Sequence, residues 1–228
     1  MEVHPYLTTR GFIDQLNFTQ EQIEKEGFLD GGVWFTDTKT IICGTFPPKT
    51  EYFDRKGYLH YSSNRNKFWS HNDANYNTKL NIITDDNNLR IQNSFSKIKF
   101  CKLKQVGFID IFTKVDRANE KSAKDSGLKP IGTIFEDGIF DNILNSNVQQ
   151  IAFVYKLAEK VFLKYIKDKY DLQPIIIRKY NTNGITLEVK RILINGRMIY
   201  LSYSPIHGRI EDYRRQPALK KVIDFDIL

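Results

Sequence analysis

The sequence predicts one α/β domain in which helices cover a parallel or mixed β-sheet. Apolar runs with the length of buried strands alternate with segments of helical periodicity, which is the pattern of this class. The 228 residues suffice for one sizeable domain and are few for two. Apolar residues make up 41% of the chain, so that a dry core can form. We therefore expect residues 1–228 to form a single domain, with residues 1–37 as an N-terminal extension packed on it.

The clearest local signals lie in the first fifth of the chain. Thr19 and Gln22 have the spacing of a capping box and Gly27 provides a stop, which predicts a helix over 18–27. Residues 40–44 form an apolar run that ends in glycine. Such a run is typical of a buried strand that leads into a functional loop.

The rest of the chain continues this alternation. We predict strands at 33–35, 106–112, 150–155 and 175–180, helices at 90–104, 139–144, 156–166 and 211–222, and irregular segments at 45–67, 71–88 and 113–130. The dipeptide Asn195-Gly196 favours a type I′ turn, so we expect a hairpin of strands 185–194 and 197–204.

Composition indicates a reducing compartment and an anionic partner. The only cysteines, Cys43 and Cys101, lie in apolar surroundings, which excludes a disulfide framework or a four-cysteine metal site within this chain. We expect a cytoplasmic protein without a membrane partner, because the sequence has no signal-peptide pattern and no run near the roughly 18 apolar residues of a membrane span. Lys and Arg outnumber Asp and Glu by 34 to 27, which favours a polyanion such as nucleic acid.

The helical segment that follows the predicted strand 150–155 carries a row of lysines, which allows two interpretations. The spacing of Lys156, Lys160, Lys164 and Lys167 aligns them along one side of the helix. They form either an ordinary solvated face or part of a surface that contacts phosphates.

Two segments combine the residue types that chemistry on a base requires. In an open α/β sheet, ligands bind beyond the carboxyl ends of the strands. The first loop, residues 45–67, follows the strand at 40–44 and ends in the motif R-N-K-F-W at 65–69. The last loop, residues 204–210, follows the final strand and reads S-P-I-H-G-R-I.

These segments resemble the uracil-DNA glycosylase superfamily, and most of all its hypoxanthine-DNA glycosylase branch. The resemblance rests on a G-x-x-P turn at 44–47, the R-N-x-F-W motif and an S-P-x-[NH] loop at 204–207, and it covers roughly residues 38–210. Between them, the G-F-I-D segment at 107–110 and then Arg117, Ser122 and Asp125 follow that branch in order. The resemblance implies a three-layer α/β/α sandwich with a central, mainly parallel four-stranded sheet.

The resemblance also implies an activity, that of a monofunctional DNA glycosylase. Such an enzyme flips a deaminated base, hypoxanthine or uracil, out of DNA and hydrolyses its N-glycosidic bond. The reaction requires a positioned water and hydrogen bonds to the departing base. The expected partner is DNA that contains a deaminated base, and the protein is expected to be a monomer without cofactor or metal. No lysine occupies a recognisable Schiff-base motif, so no lyase step is expected.

Two residues are implied to be catalytic. Asn66 takes this role because Phe46 occupies the position where many superfamily members carry Asp or Asn, and a phenyl ring cannot orient water. The alternative role of Asn66 is to cap the helix that begins near Phe68. His207 is expected to hydrogen-bond the base carbonyl and to stabilise the leaving anion.

The remaining positions are implied to bind the base and the DNA. Tyr61 would stack on the extruded base, and the backbone of Thr45 and Phe46 would contact its polar edge. Pro48 departs from the glycine usual in the branch and removes a backbone donor from this turn. The expected DNA contacts are Ser204, Pro205, Ile206, Arg209 and Ile210, with Arg214, Arg215, Lys220 and Lys221 as phosphate ligands.

Two other classes of function remain open at this stage. A metal-dependent nuclease would use Asp54, His60, His71 and Asp73, which lie within twenty residues of each other, and EDTA would abolish its activity. A nucleic-acid-binding protein that kept the fold without catalysis would bind lesion DNA and release no base. Phe46 and Pro48 are the residues that favour this alternative.

Overall fold

The structure, a computed structural model, describes residues 1–47, 60, 68–118, 127–182, 185–203 and 212–225. The helices are α1 (Arg10–Leu16), α2 (Gln20–Glu26), α3 (Phe68–Tyr76), α4 (Asn87–Lys104), α5 (Ile139–Leu144), α6 (Lys156–Tyr170) and α7 (Asp212–Ile223). The strands are β1 (Glu2–Val3), β2 (Gly32–Val33), β3 (Thr40–Gly44), β4 (Val106–Asp110), β5 (Phe112–Arg117), β6 (Leu128–Thr133), β7 (Gln150–Phe153), β8 (Ile175–Thr182), β9 (Ile185–Ile194) and β10 (Arg197–Tyr203).

The described strands form two sheets. The main sheet has seven strands in the order β2-β4-β3-β7-β10-β9-β8. The neighbours β4, β3, β7 and β10 are paired in parallel, whereas β2, β9 and β8 are each joined to the sheet by antiparallel pairing. The second sheet is antiparallel and has the order β1-β5-β6.

The predicted fold class, a three-layer sandwich around a central, mainly parallel four-stranded sheet, is wrong. Among the described strands, half of the pairings in the seven-stranded sheet are antiparallel, and the second sheet is entirely so. The arrangement is a mixed α+β fold. Hairpins cause the difference, because β8, β9 and β10 follow one another in the chain and pair as neighbours, which only antiparallel strands with short turns can do.

The second sheet occupies a segment that was expected to be irregular. The predicted loop at 113–130 contains most of β5 and the start of β6, and the predicted strand 106–112 divides at Ile111 into β4 and β5. The strand β5 is difficult to predict from the sequence because polar residues interrupt it. Buried Val115 lies between half-buried Lys114 and exposed Asp116. The stretch 71–88 was likewise misjudged, since α3 includes its first turns.

Other local predictions are confirmed. The Oγ of Thr19 accepts a hydrogen bond from the backbone N–H of Gln22 at 3.2 Å, and the side chain of Gln22 accepts one from the backbone N–H of Thr19 at 2.8 Å. Gly27 ends α2 in the left-handed conformation. Asn195 and Gly196 both have positive φ, 52° and 76°, as a type I′ turn between β9 and β10 requires.

The main sheet is buried on both faces. Ile41 and Cys43 of β3 belong to a core cluster that includes residues of α5 and α6, whereas Ile42 belongs to a second cluster with residues of α1 to α4 and α7. Successive side chains of a strand point to opposite faces, so helices lie against both faces of the sheet. Burial on both faces explains why β3 is apolar without alternation.

The parallel strands end together at one edge of the main sheet. Gly44 of β3 pairs with Asp110 of β4, and Cys43 pairs with Phe153 of β7, which in turn pairs with Tyr203 of β10. The chain therefore leaves β3, β4, β7 and β10 at the same edge. We call it the carboxyl edge. None of the described helices is both long and apolar enough to cross a membrane.

Candidate active site

A buried carboxylate lies at the carboxyl edge between two histidines. The Oδ2 of Asp110, the last residue of β4, lies 3.1 Å from the Nε2 of His4 and 3.3 Å from the Nε2 of His60. His4 follows β1, and His60 comes from the first loop. All three side chains are buried, at 6% exposure or less. We call this group the His4–Asp110–His60 cluster.

The backbone around His4 determines its tautomer. The backbone N–H of Tyr6 donates a hydrogen bond to the Nδ1 of His4 at 3.1 Å. An imidazole nitrogen that accepts a hydrogen bond carries no proton, so the neutral ring of His4 carries its proton on Nε2. His4 is therefore the donor in its hydrogen bond with Asp110.

His60 is held through both its ring and its backbone. Its imidazole lies between the rings of Tyr6 and Phe108, with centroid distances of 6.1 and 5.7 Å and interplanar angles of 29° and 17°. Its carbonyl oxygen accepts a hydrogen bond of 2.9 Å from the indole Nε1 of Trp69. Contacts with Tyr6, Phe108 and Trp69 therefore fix the position of His60.

The cluster keeps Asp110 ionised. Burial alone raises the pKa of a carboxyl group, because desolvation disfavours the charged form. The hydrogen bond from His4 and the electrostatic interaction with the nearby His60 ring together outweigh burial and hold the pKa of Asp110 well below its usual range. The same carboxylate adds to the effect of burial in raising the pKa of the neighbouring Cys43 thiol, which is therefore a neutral core residue.

The three side chains of the cluster, two imidazoles and one carboxylate, are also of the types that bind metals. The ligand atoms lie within 4.8 Å of one another, and this is the only such group of His, Cys, Asp and Glu in the described part of the chain. Ligands about 2.1 Å from a tetrahedral ion would be separated by roughly 3.4 Å, which is close to the observed spacings. The protonation of His4 does not fit, because a metal-bound Nε2 needs its proton on Nδ1, where Tyr6 already donates.

The first loop begins beside this cluster with residues that face inward. The backbone N–H of Phe112 donates to the carbonyl oxygen of Thr45 at 3.0 Å. The ring of Phe46 is 8% exposed and meets the ring of His4 edge-on at a centroid distance of 5.9 Å. Since the Phe46 ring has no polar atom, these two residues offer a ligand only their backbone groups and the hydroxyl of Thr45 as hydrogen-bond partners.

Arg117 of β5 connects the first loop to the N-terminal strand. Its Nη2 donates to the carbonyl oxygen of Pro47, and its Nε donates to the carboxylate of Glu2 at 3.0 Å. The guanidinium also lies over the ring of Phe46, 5.5 Å from its centroid. Arg117, which the resemblance placed in order along the chain, therefore holds the start of the first loop against β1.

Most of the predicted site residues lie outside the described residues. They are Pro48, Tyr61, Asn66, Ser204, Pro205, Ile206, His207, Arg209 and Ile210. The structure describes the residues from which these segments start, namely Pro47, His60 and Phe68 for the first loop and Tyr203 for the last loop. Of the base-binding positions, Thr45 and Phe46 are described and lie at the carboxyl edge.

The predicted nuclease ligands are not brought together among the described residues. Asp73 accepts hydrogen bonds from Thr78, Leu80 and Asn81, so it fixes the chain after α3. His60 instead forms a cluster with Asp110, which belongs to the G-F-I-D segment, and with His4, for which the sequence motifs predicted no role. Asp54 lies outside the described residues.

The described lysines of α6 are partly neutralised. Lys156 pairs with Glu159 at 3.0 Å, and Lys164 pairs with Asp168. Lys156 stands at the carboxyl edge, where its ammonium lies 3.6 Å from the ring centroid of Tyr203, and its side chain is 69% exposed. This exposure leaves room for a further anionic partner beside the last loop.

Comparisons with protein families and with curated proteins identified no relative of this chain. The sequence matches no protein-family model and no curated protein. The strand topology and the chemistry of the carboxyl edge are therefore what support an assignment of function.

Proposed function

We propose that this protein is a monofunctional DNA glycosylase that hydrolyses the N-glycosidic bond of a deaminated base, hypoxanthine or uracil, in DNA repair. One observation carries the proposal. The two loops that hold the glycosylase-like motifs follow β3 and β10, and these strands end at the same edge with only β7 between them. Neighbouring strands are about 4.8 Å apart, so the two loops start on the order of 10 Å from each other. That spacing suits a crevice for a flat nucleobase.

The proposed chemistry divides between the two loops. Tyr61 stacks on the flipped base, while the backbone of Thr45 and Phe46 and the side chain of His207 bind its polar edge. The bond between the base nitrogen and the sugar carbon breaks, and its electron pair leaves with the base. Asn66 orients a water that attacks the sugar carbon, and the proton released by this water ends on the departed base.

Charge around the carboxyl edge supports a DNA substrate. The net charge is +7, and Lys156 lies next to Tyr203 at the start of the last loop. We propose that Ser204, Pro205, Ile206, Arg209 and Ile210 contact the DNA and that Lys156 adds a phosphate contact. The protein would act as a cytoplasmic monomer, without a cofactor or metal.

The test is a nicking assay on oligonucleotides that contain uracil, hypoxanthine or xanthine. We expect nicking only after alkali, because a glycosylase without a lyase step leaves an intact abasic strand. EDTA should have no effect. Asn66→Ala should lower the single-turnover rate by about 100-fold or more, and His207→Ala should also lower it. Undiminished excision by Asn66→Ala would remove Asn66 from the mechanism, and loss of activity in EDTA would favour a nuclease.

A second candidate function is a nucleic-acid-binding protein without catalysis. The buried ring of Phe46 favours it, because this position offers no group that orients water. This protein would bind lesion-containing oligonucleotides in the same assay and release no base from any of them.

A further inference from the structure

We propose that Asp110 is a positioning residue of the candidate active site. Asp110 holds His60, which directly precedes the proposed site residues of the first loop in the sequence. It depends in turn on its contact with His4 of the N-terminal segment. The inference rests on the proposed function, gives a role to Asp110 of the G-F-I-D segment and adds His4 and His60, which none of the motifs contains. It also assigns the N-terminal segment a role in activity.

The N-terminal segment is attached to the second sheet at a fixed register. Glu2 pairs with Val115 and Val3 with Lys114. The backbone N–H of His4 then donates to the carbonyl oxygen of Thr113 at 2.8 Å. This register brings the imidazole of His4 to Asp110, 106 positions later in the chain.

Asp110 joins this segment to the first loop. The same oxygen, Oδ2, faces the Nε2 of both histidines at 3.1 and 3.3 Å. A buried carboxylate attracts polar N–H groups around it, and the ring centroid of His60 also lies 5.3 Å from that of His4, so electrostatics and packing couple the position of His60 to those of Asp110 and His4. Removal of His4 would take away one donor and one wall of the pocket in which Phe46 and His60 pack.

His60 directly precedes the proposed site residues of the first loop in the sequence. The next residue is Tyr61, the proposed stacking residue, and Asn66 follows five positions later. A displacement of about 1 Å in a catalytic group can lower a rate by about 100-fold. A residue that sets the position of His60 is therefore expected to influence kcat without touching DNA.

Two pairs of variants test the positioning role. His4→Ala removes the donor to Asp110, whereas His4→Gln returns an N–H to nearly the place of the imidazole Nε2. Asp110→Asn keeps the size of the side chain and removes its charge, and Asp137→Asn is its control at a half-buried carboxylate that pairs with Lys114 at the surface. Folding of each variant is checked by its urea midpoint.

The excision rate and the Kd for DNA together distinguish a positioning role from a role in DNA binding. His4→Ala and Asp110→Asn should lower the single-turnover excision rate by about 10- to 100-fold while the Kd for DNA stays within about twofold of the parent. His4→Gln should recover most of the rate, and Asp137→Asn should match the parent. Parental rates in folded His4→Ala and Asp110→Asn would overturn the inference, as would a His4→Gln variant as slow as His4→Ala.

An NMR spectrum of the histidines tests the coupling between His4 and His60 without a measurement of activity. In protein labelled with ¹⁵N-histidine, the long-range ¹H–¹⁵N spectrum should show His4 protonated on Nε2, and His4→Ala should shift the signals of His60. Unmoved His60 signals would end the inference. Zinc added in stoichiometric amount should leave both signals unchanged, and their joint movement at one equivalent would make the cluster a metal site instead. A parent protein that excises no base would reject the proposed function, while this spectrum still tests the coupling.

Discussion

Arg117 donates a hydrogen bond to the carbonyl oxygen of Pro47, where the first loop leaves β3, while its Nε binds Glu2 of the N-terminal strand. The side chain of Arg117 is only 2% exposed, whereas that of Glu2 is 18% exposed. A planar guanidinium can bond to two partners at once and lie flat on the ring of Phe46, which an ammonium cannot do. This residue therefore couples the geometry of the proposed base-binding turn to the N-terminal segment.

Replacement of Arg117 by lysine should loosen this connection. Arg117→Lys keeps the charge but loses at least one of the two directed hydrogen bonds, so we expect the free energy of unfolding to fall by about 1–3 kcal/mol. Urea unfolding measures the change, and Arg10→Lys at an exposed position is the control, with an expected effect below about 0.5 kcal/mol. Equal effects of the two substitutions would contradict the role assigned to Arg117.

The low pKa of Asp110 predicts a dependence of stability on acid. A carboxyl group whose pKa is lower in the folded state stabilises the protein above its unfolded value of about 3.9 and loses this contribution as the pH falls below it. The parent should therefore be more stable than Asp110→Asn at pH 5 to 7. The difference should shrink by about 1 kcal/mol between pH 5 and pH 3. Urea unfolding at several pH values measures it, and a constant difference down to pH 3 would refute this linkage.

Lys97 of α4 predicts a second rise of stability with pH, this time in the alkaline range. It is 2% exposed, with its ammonium 5.1 Å from the ring centroid of Trp69. Burial lowers its pKa to about 8, although Asp73 and Cys101 favour the charged form. Because the folded protein then releases this proton before the unfolded chain does, stability should rise between pH 8 and about 10.5. The full gain would be about 3 kcal/mol.

Lys97→Met tests this account because methionine fills a similar volume without charge. We expect the variant to be more stable than the parent at pH 7 and this advantage to disappear by about pH 10. Lys99→Met, at an exposed position of the same helix, should change stability by less than about 0.5 kcal/mol at either pH. An advantage of Lys97→Met that persists unchanged to pH 10 would show that packing, and not the charge, is responsible.

The same helix shows what could be predicted from the sequence and what could not. The near-helical spacing of Ile91, Phe95, Ile98 and Leu103 correctly indicated a helix, since α4 covers Asn87–Lys104. Its buried face is different, because Phe95 is 38% exposed and Leu103 80% exposed while Lys97 is buried. A lysine stem is apolar and can pack in a core when an aromatic ring and a carboxylate receive its ammonium. Those partners lie on α3, so the pattern of α4 alone does not contain this information.

The candidate site was predictable only in part for the same reason. The predicted strand with its terminal glycine is confirmed as β3, which ends at Gly44, and Asp110 ends a strand at the same edge. The role of His4 depends on the pairing of β1 with β5, which lies more than 100 positions away and inside a segment expected to be a loop. Contacts between distant segments form the cluster, and a linear motif search does not detect them.

Gly107 offers a prediction that links the fold to the site. Gly107 lies in β4, between β2 and β3. A Cβ placed there would lie 2.4 Å from the Cβ of Trp34. Trp34 is fully buried, and its indole N–H donates a hydrogen bond to the carbonyl oxygen of Asp30. Gly107→Ala must therefore displace Trp34 or β4, at a cost of about 1–3 kcal/mol in the free energy of unfolding. Because Asp110 lies three residues further along β4, we also expect slower base excision. Gly127→Ala is the matched control, since no described atom lies within 4 Å of the Cβ it would add, and parental stability of Gly107→Ala would show that the backbone yields here without cost.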